Sequence, residues 1–334
     1  MAIIDNKGII RGAVGPSVFR HSRGKNIVQS KPGKYKQTAA SIASSAEFGL
    51  INSSAAIIRH AFEPAYRYYD GRAVGRMTSA VGRSVRSAAG TIRGQRDLHD
   101  GDLSCLLGTE FNKNSLLKDV LPVQPPISRD NSGAVVVQMP ALNMKTDLKL
   151  PRELMYKGYK LRVRFLLVAF NFRESYYEFI DSQELEYLLH QNAGAQDLRL
   201  DGDIPQGCML LLSMSLSLYG CHALDEGFVL LNSKAFSPAA LVAAWQEPGI
   251  IPLEKALKGD ISPEEQRGRM FIDYAGNRLL AGLQKRIEHK ARAGTAKLLA
   301  EKMRQNRNVP LQPEQDHHTD IVKGKRIRFV RYEK

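Results

Sequence analysis

Residues 209–219, MLLLSMSLSLY, place Leu210, Leu212, Met214, Leu216 and Leu218 on one parity, and Ser213, Ser215, Ser217 and Tyr219 on the other. Successive side chains of a strand point to opposite faces, so this stretch reads as a long strand with one face in a core and one polar face. That is the signature of antiparallel sheet. Leu161, Val163, Phe165, Leu167 and Ala169 alternate with Arg162 and Arg164 in the same way, until Leu166, Val168 and Phe170 make both faces apolar. Val135–Val137 and Phe228–Leu231 add short strands. No helical pattern of 10–15 residues separates these strands, which favours a sandwich over a βαβ fold. Residues 134–254 are therefore expected to form an antiparallel, β-sandwich-like domain. Within it, Ser237–Trp245 fits either a strand or a helix with Pro238 at its first position.

The N-terminal third follows other periods. Ile3-Ile4, Ile9-Ile10, Val14, Val18-Phe19 and Ile27-Val28 are spaced by Gly8, Gly12, Gly15 and Gly24. This reads as an extended, glycine-rich arm over 1–37 with short strands turning near Arg23-Gly24-Lys25. Thr38 is a plausible N-cap for a helix to about Phe62, with Phe48, Ile51, Ala55, Ile58 and Phe62 as its apolar stripe. Glu63-Pro64 breaks it. A second helix over 72–93 carries Val74, Met77, Val81, Val85, Ala88 and Ile92, completing a helical hairpin over 38–96. Residues 97–133 are a connector, rich in proline and glycine toward its end and with a helical turn near 115–121.

Ser262-Pro263-Glu264-Glu265 opens a basic amphipathic helix expected to run to about Arg304, with Leu280, Leu283, Ile287, Ala291, Gly294 and Leu298 as its stripe. A terminal strand with a basic face is expected over Ile321–Tyr332. The fold class is therefore α+β: an extended arm and helical hairpin, a central antiparallel domain, and over 255–334 a long basic helix with a C-terminal strand.

The formal net charge of +14 is unevenly spread. Residues 1–96 carry 16 Lys/Arg against 4 Asp/Glu (+12), residues 97–254 carry 13 against 20 (−7), and residues 255–334 carry 19 against 10 (+9). Such asymmetry suggests charged partners for the two ends: nucleic acid, a membrane surface or the acidic middle of a neighbouring copy. With 43% hydrophobic and 25% charged residues the chain has the composition of a globular protein. Its start lacks an apolar signal core, and apolar runs such as Phe165–Phe170 fall far short of the ~18 residues that span a bilayer. Synthesis in the cytoplasm, with any export by a route independent of a signal peptide, is the expectation. Cys105, Cys208 and Cys221 lack metal or disulfide spacing and read as ordinary thiols.

No nucleophile elbow, Walker loop, zinc-protease helix or dinucleotide fingerprint is present. Asp97, His99, Asp100 and Asp102 in DLHDGD have the ligand types for a hard cation, but lack the spaced acidic ladder of a calcium loop, so a plain acidic loop is the better reading. Asp316-His317-His318-Thr319-Asp320 reads as a polar linker. Tyr66, Arg67, Tyr68, Tyr69, Arg72 and Arg76 have the composition to stack bases and pair phosphates. The plainer alternative, tyrosines closing the hairpin corner beside solvated arginines, is favoured.

Gly12, Val14, Gly15, Val18, Arg20, Arg23, Gly24, Lys25, Ile27, Val28, Ser30, Pro32 and Lys34, followed by Gln37-Thr38 and Glu47-Phe48-Gly49, form a pattern specific in its spacing. It resembles the N-terminus of a family of uncharacterised Bacteroidota proteins over about the first 60 residues. That resemblance implies a bacterial protein and no active site.

The reading reached is a non-enzymatic structural protein that self-assembles into a homo-oligomer, filament or particle through its basic arm and tail, without a cofactor or metal. Sequence-independent nucleic-acid binding by the basic ends is the alternative. The residues expected to carry either role are Arg11, Arg20, Arg23, Lys25 and Lys34 in the arm, Arg72, Arg76, Arg83 and Arg86 on the second helix, and Arg326 and Arg328 in the terminal strand.

Overall fold

A computed structural model of the chain describes residues 2–22, 24–33, 37–89, 93–154, 158–221, 227–247, 249 and 268–283, with six single positions between 285 and 297. The chain divides into a unit of residues 1–284, which carries the architecture below, and a second of residues 285–334.

The molecule is α+β with antiparallel sheets. Its centre is a curled six-stranded sheet built on β7 (Lys160–Asn171), β8 (Tyr176–Leu188) and β10 (Met209–Cys221), the segments where alternation is longest. β10 pairs along its length with β7, Met209 opposite Phe170 and Tyr219 opposite Lys160. Its other edge is shared by β12 (Ala239–Gln246) and β11 (Phe228–Leu230). Between those two partners, Asn232 completes the ladder: its side chain accepts from the Leu218 N–H at 2.8 Å and donates to the Leu216 carbonyl at 2.9 Å. Ser237–Trp245, undecided from its sequence, thus lies mainly in a strand.

Two cores lie on opposite faces of this sheet. Leu161, Val163, Phe165 and Leu167 of β7 and the even-numbered residues Leu210–Leu218 of β10 face a core closed by the three-stranded sheet of β5 (Ile127–Arg129), β6 (Val135–Met139) and β9 (Gln196–Leu200). This is the sandwich-like half. Leu166, Val168 and Phe170, with Met209 and Leu211, point the other way, onto two helices, α1 (Ala39–Ala61) and α2 (Ala73–Ser87). A sheet covered on both faces explains why β7 loses its alternation after Phe165. It also corrects the expected polar face of β10. Ser213 and Ser215 are buried because the helix layer reaches over them; Arg164, opposite Ser215, donates to the Pro64 carbonyl at 2.7 Å.

Thr38 caps α1 as expected, its Oγ1 accepting from the Ser41 N–H at 3.2 Å. The α1 stripe differs from the expected one: Leu50, Ile51, Ala55, Ile58 and Phe62 are buried while Phe48 is 60% exposed. Glu47, one position earlier, takes the inward place and is satisfied by the Gly94 N–H and the Arg86 guanidinium. Gly49 leaves room for the Leu279 side chain, which would lie 2.7 Å from a Cβ there. On α2, Met77, Ala80, Val81 and Val85 are buried, Val74 is exposed, and the helix stops at Ser87. The short helix α3 (Leu117–Val120) matches the turn expected near 115–121.

The C-terminal helix is corrected in its first part. Arg269–Phe271 form β13, paired with Tyr176–Glu178 of β8, and helix resumes only over 275–283. Gly268 has φ +88°, which interrupts a helix, and the free edge of β8 supplies partners for Arg269–Phe271. The expected helix start at Ser262 and the terminal strand over 321–332 lie outside the described residues. No helix among the described residues is long and apolar enough to cross a membrane.

The N-terminal arm is a sheet of its own. β1 (Ala2–Ile4), β2 (Ile10–Val14), β3 (Ser17–Ser22) and β4 (Lys25–Ser30) form a four-stranded antiparallel meander. Tight turns close its last two hairpins, between Val14 and Ser17 and between Ser22 and Lys25. Gly15 and Gly24 there have φ +55° and +76°, the left-handed conformation such turns demand.

Candidate functional site

The register of the N-terminal sheet sorts its side chains into two unlike faces. Gly12 lies opposite Phe19 and Ala2, Phe19 opposite Val28, and Ile4 opposite Ile10. By strand alternation, Ile4, Ile10, Val14, Phe19 and Val28 therefore share one face. Ile3 lies opposite Arg11 and Arg20 opposite Ile27, so Arg11, Arg20 and Lys25 share the other with Ile3, Val18 and Ile27.

Neither face is buried among the described residues. No described residue between 2 and 33 is buried; on the apolar face Ile4 is 67%, Val28 61%, Val14 54% and Ile10 39% exposed. A small sheet gains stability from burying one face against something, and contiguous exposed apolar surface marks an interaction site. The outer edges of β1 and β4 pair with no described strand, leaving backbone donors and acceptors free.

The arm residues singled out from the sequence are thus brought together in part. Arg11, Arg20 and Lys25 are exposed on one face, with Arg11 loosely paired to Asp5 at 3.6 Å. Arg23, Lys34, Arg326 and Arg328 lie outside the described residues. The four arginines of α2 are separate from this sheet and unlike one another. Arg76 is committed to Asp70 at 2.6 Å, Arg86 lies 3.6 Å from Glu47, and Arg83 reaches the Cys105 carbonyl at 3.3 Å. The Arg72 guanidinium has no carboxylate partner among the described residues.

Asp70, which sequence reasoning did not single out, organises the corner between the helices. Its carboxylate accepts from the Arg72 N–H, from both terminal nitrogens of Arg76 and from the Lys113 N–H. These bonds, Arg76's first, hold its carboxyl well below the ordinary range. The Asp-Gly pair following three aromatic positions was the available signal. Tyr66 behaves as the plainer reading expected: it is buried, stacks on Phe111 at 4.2 Å and donates to the Arg59 carbonyl. Burial raises its hydroxyl to about 12.

Several acids of the middle block are ion-paired within the chain. Arg162 and Arg164 on β7 face Glu186 and Glu184 on β8, with ion pairs of 2.7 and 2.5 Å, and Lys160 joins Glu186 at 2.8 Å. The acids of DLHDGD have partners within the protein. Asp97 and Asp100 grip Arg173 at 2.6 and 2.7 Å, and Asp102 caps the turn that follows. His99 Nε2 accepts from the Phe172 N–H, a role open only to neutral imidazole, and burial followed by the Arg173 charge pushes it down to about 3. Among the described residues no group of three His, Cys, Asp or Glu side chains is placed to hold a metal. Cys208 is buried against the Tyr176 hydroxyl, and burial pushes its thiol up to about 11.

No family model matches the chain, and no curated protein and no solved structure shows a significant similarity to it.

Proposed function

We propose that this chain is a non-enzymatic structural protein that assembles with copies of itself, and that the apolar face of the N-terminal sheet is the assembly surface. One observation supports this reading: a four-stranded sheet, regular in register, whose face of Ile4, Ile10, Val14, Phe19 and Val28 is buried by none of the described residues.

A second copy of the same sheet is the occupant that suits this face. Two such sheets stacked about 10 Å apart would bury both apolar faces and leave Arg11, Arg20 and Lys25 of each copy pointing away from the contact. Like charges are then kept apart, and each covered aliphatic side chain contributes roughly 1 kcal/mol or more. The charged pairing of arm and acidic middle is the weaker driver, since Glu184 and Glu186 of β8 already have partners on β7. Strand addition at the free edges of β1 and β4 would extend such a pair into a filament or particle.

The test is molar mass by light scattering for the full chain and for an Ile4→Ser/Val14→Thr/Val28→Thr variant, which keeps strand-forming residues while making the face polar. A multimer for the first and a smaller species for the second is the expected result. Equal monomers would sink the reading.

A further inference from the structure

A second cationic surface lies where three loops meet at the start of α2. Asp70 ties the 66–72 loop to the Lys113 N–H, and the Asn112 and Asn114 side chains donate to the Lys234 carbonyl at 3.1 and 3.0 Å, which brings in the third loop. The cleft between them has a volume of about 780 Å³ and presents Arg67, Arg72, Lys113 and Lys234 beside Tyr68 and Tyr69. Among the described residues no carboxylate pairs with any of these four side chains. The acid in the wall, Asp70, is taken up by Arg76. Four cations gathered around one cleft repel one another unless an anion lies between them.

The cleft runs on along α2. It shares Gly71, Arg72 and Lys113 with a neighbouring groove of about 760 Å³, whose wall carries Arg76, Ser79 and Arg83 and also Glu110, a carboxyl turned to the Leu117 N–H. Positions 72, 76, 79 and 83 form one stripe on the side of α2 away from Met77 and Val81, and 72 to 83 spans roughly 16 Å at 1.5 Å per residue. The helix also breaks a local rule here. Arg72 is its N-cap, without a side-chain cap bond and with no acidic residue in the first turn, and the carboxylate on the Arg72 N–H, Asp70, is shared with Arg76. At the mouth, Tyr69 is 52% exposed and its ring is held edge-on by Tyr66 at 6.2 Å.

A long groove with repeated cations and an accessible aromatic ring suits a flexible strand bearing regularly spaced charges and flat bases. An acidic polypeptide would match the charges but offer nothing to stack on Tyr69. We propose that this groove binds single-stranded nucleic acid without regard to sequence, Arg72, Lys113 and Lys234 contacting phosphates and Tyr69 stacking a base. The site is independent of the N-terminal sheet and of assembly.

The experiment is fluorescence anisotropy of labelled oligothymidylate and oligouridylate with the full chain, at about 50 and 200 mM salt. Arg72→Ala/Lys113→Ala/Lys234→Ala should weaken binding at least tenfold at the lower salt. It should also flatten the slope of log affinity against log salt by about 2, at ~0.7 for each phosphate that is no longer neutralised. Arg72→Lys/Lys113→Arg/Lys234→Arg should retain binding, which separates the effect of charge from that of misfolding. Tyr69→Ala should weaken it several-fold and Tyr69→Phe should not. Arg11→Ala/Arg20→Ala/Lys25→Ala, on the N-terminal sheet, should leave affinity nearly unchanged. No binding at the lower salt, equal losses from the two alanine triples, or competition by polyglutamate as effective as unlabelled oligonucleotide would each overturn the proposal.

Discussion

Replacing Asp70 by alanine removes four hydrogen bonds at once: two from the Arg76 guanidinium, at 3.1 and 2.6 Å, and one each from the Arg72 and Lys113 N–H groups, both at 2.6 Å. The two backbone donors lie at the surface and turn to water, so each costs about 0.5 kcal/mol. The pair with Arg76 is less exposed, 25% for the arginine side chain and 11% for Asp70, and its loss leaves the guanidinium with the Glu110 carbonyl alone. That contributes roughly 2 kcal/mol, below the cost of a fully buried pair because water still reaches the arginine. The expected destabilisation is about 3 kcal/mol. Asp70→Asn, which keeps an acceptor but loses the charge, should cost about half of that.

Urea unfolding read by the fluorescence of Trp245, the chain's only tryptophan and packed on the sandwich-side core, measures both. A double-mutant cycle with Arg76→Met should return a coupling of at least ~1 kcal/mol. The acid limb adds a signature. Arg76 holds the Asp70 carboxyl below its unfolded range, so its contribution is complete above about pH 4 and disappears as the pH falls further. The gap between wild type and Asp70→Ala should close there. A loss under ~0.5 kcal/mol at neutral pH, or a coupling near zero, would refute the reasoning.

Glu110 titrates in the opposite sense. Burial raises its carboxyl to about 7. A folded value above the unfolded one means that stability falls as the pH rises from about 4.5 to about 7, by up to ~1.4 kcal/mol per unit. Glu110→Gln should therefore be more stable than wild type at pH 8 and lose that advantage at pH 5, as followed by thermal melts across the range. Asn232→Ala should cost about 2–3 kcal/mol in urea titrations, because it leaves the buried Leu218 N–H and Leu216 carbonyl unpaired.

The parts of the fold that the sequence made legible are those in which one face alone decides the pattern. β10, the core of α1 and the Thr38 cap follow from period and capping chemistry. β8 did not show itself, because Glu178, Asp181, Glu184 and Glu186 are strand-unfriendly by propensity. The cross-strand arginines of β7 make Glu184 and Glu186 acceptable, Arg269 of β13 lies by Glu178, and the β7 partners are some twenty residues away in sequence. β13 was hidden for a related reason. Arg269–Phe271 sit in a helix-like stretch and become a strand only because the edge of β8 is free.

At the site, the glycine spacing and basic residues of the arm were visible, but their sorting into an apolar and a basic face depends on register, which tight turns fix and composition does not. The cleft at α2 was less legible still. Lys113 and Lys234 join Arg72 only through the hydrogen bonds of Asp70, Asn112 and Asn114, which bridge up to 122 residues of chain.

The central claim is that the apolar face of β1–β4 is covered by a second copy. Hydrogen–deuterium exchange of the wild-type chain, read for residues 2–30 over a wide range of protein concentration, tests it without any substitution. Protection of these strands that climbs with concentration, while β7 and β10 stay equally protected throughout, is the result predicted. Protection of residues 2–30 that is independent of concentration would contradict the account.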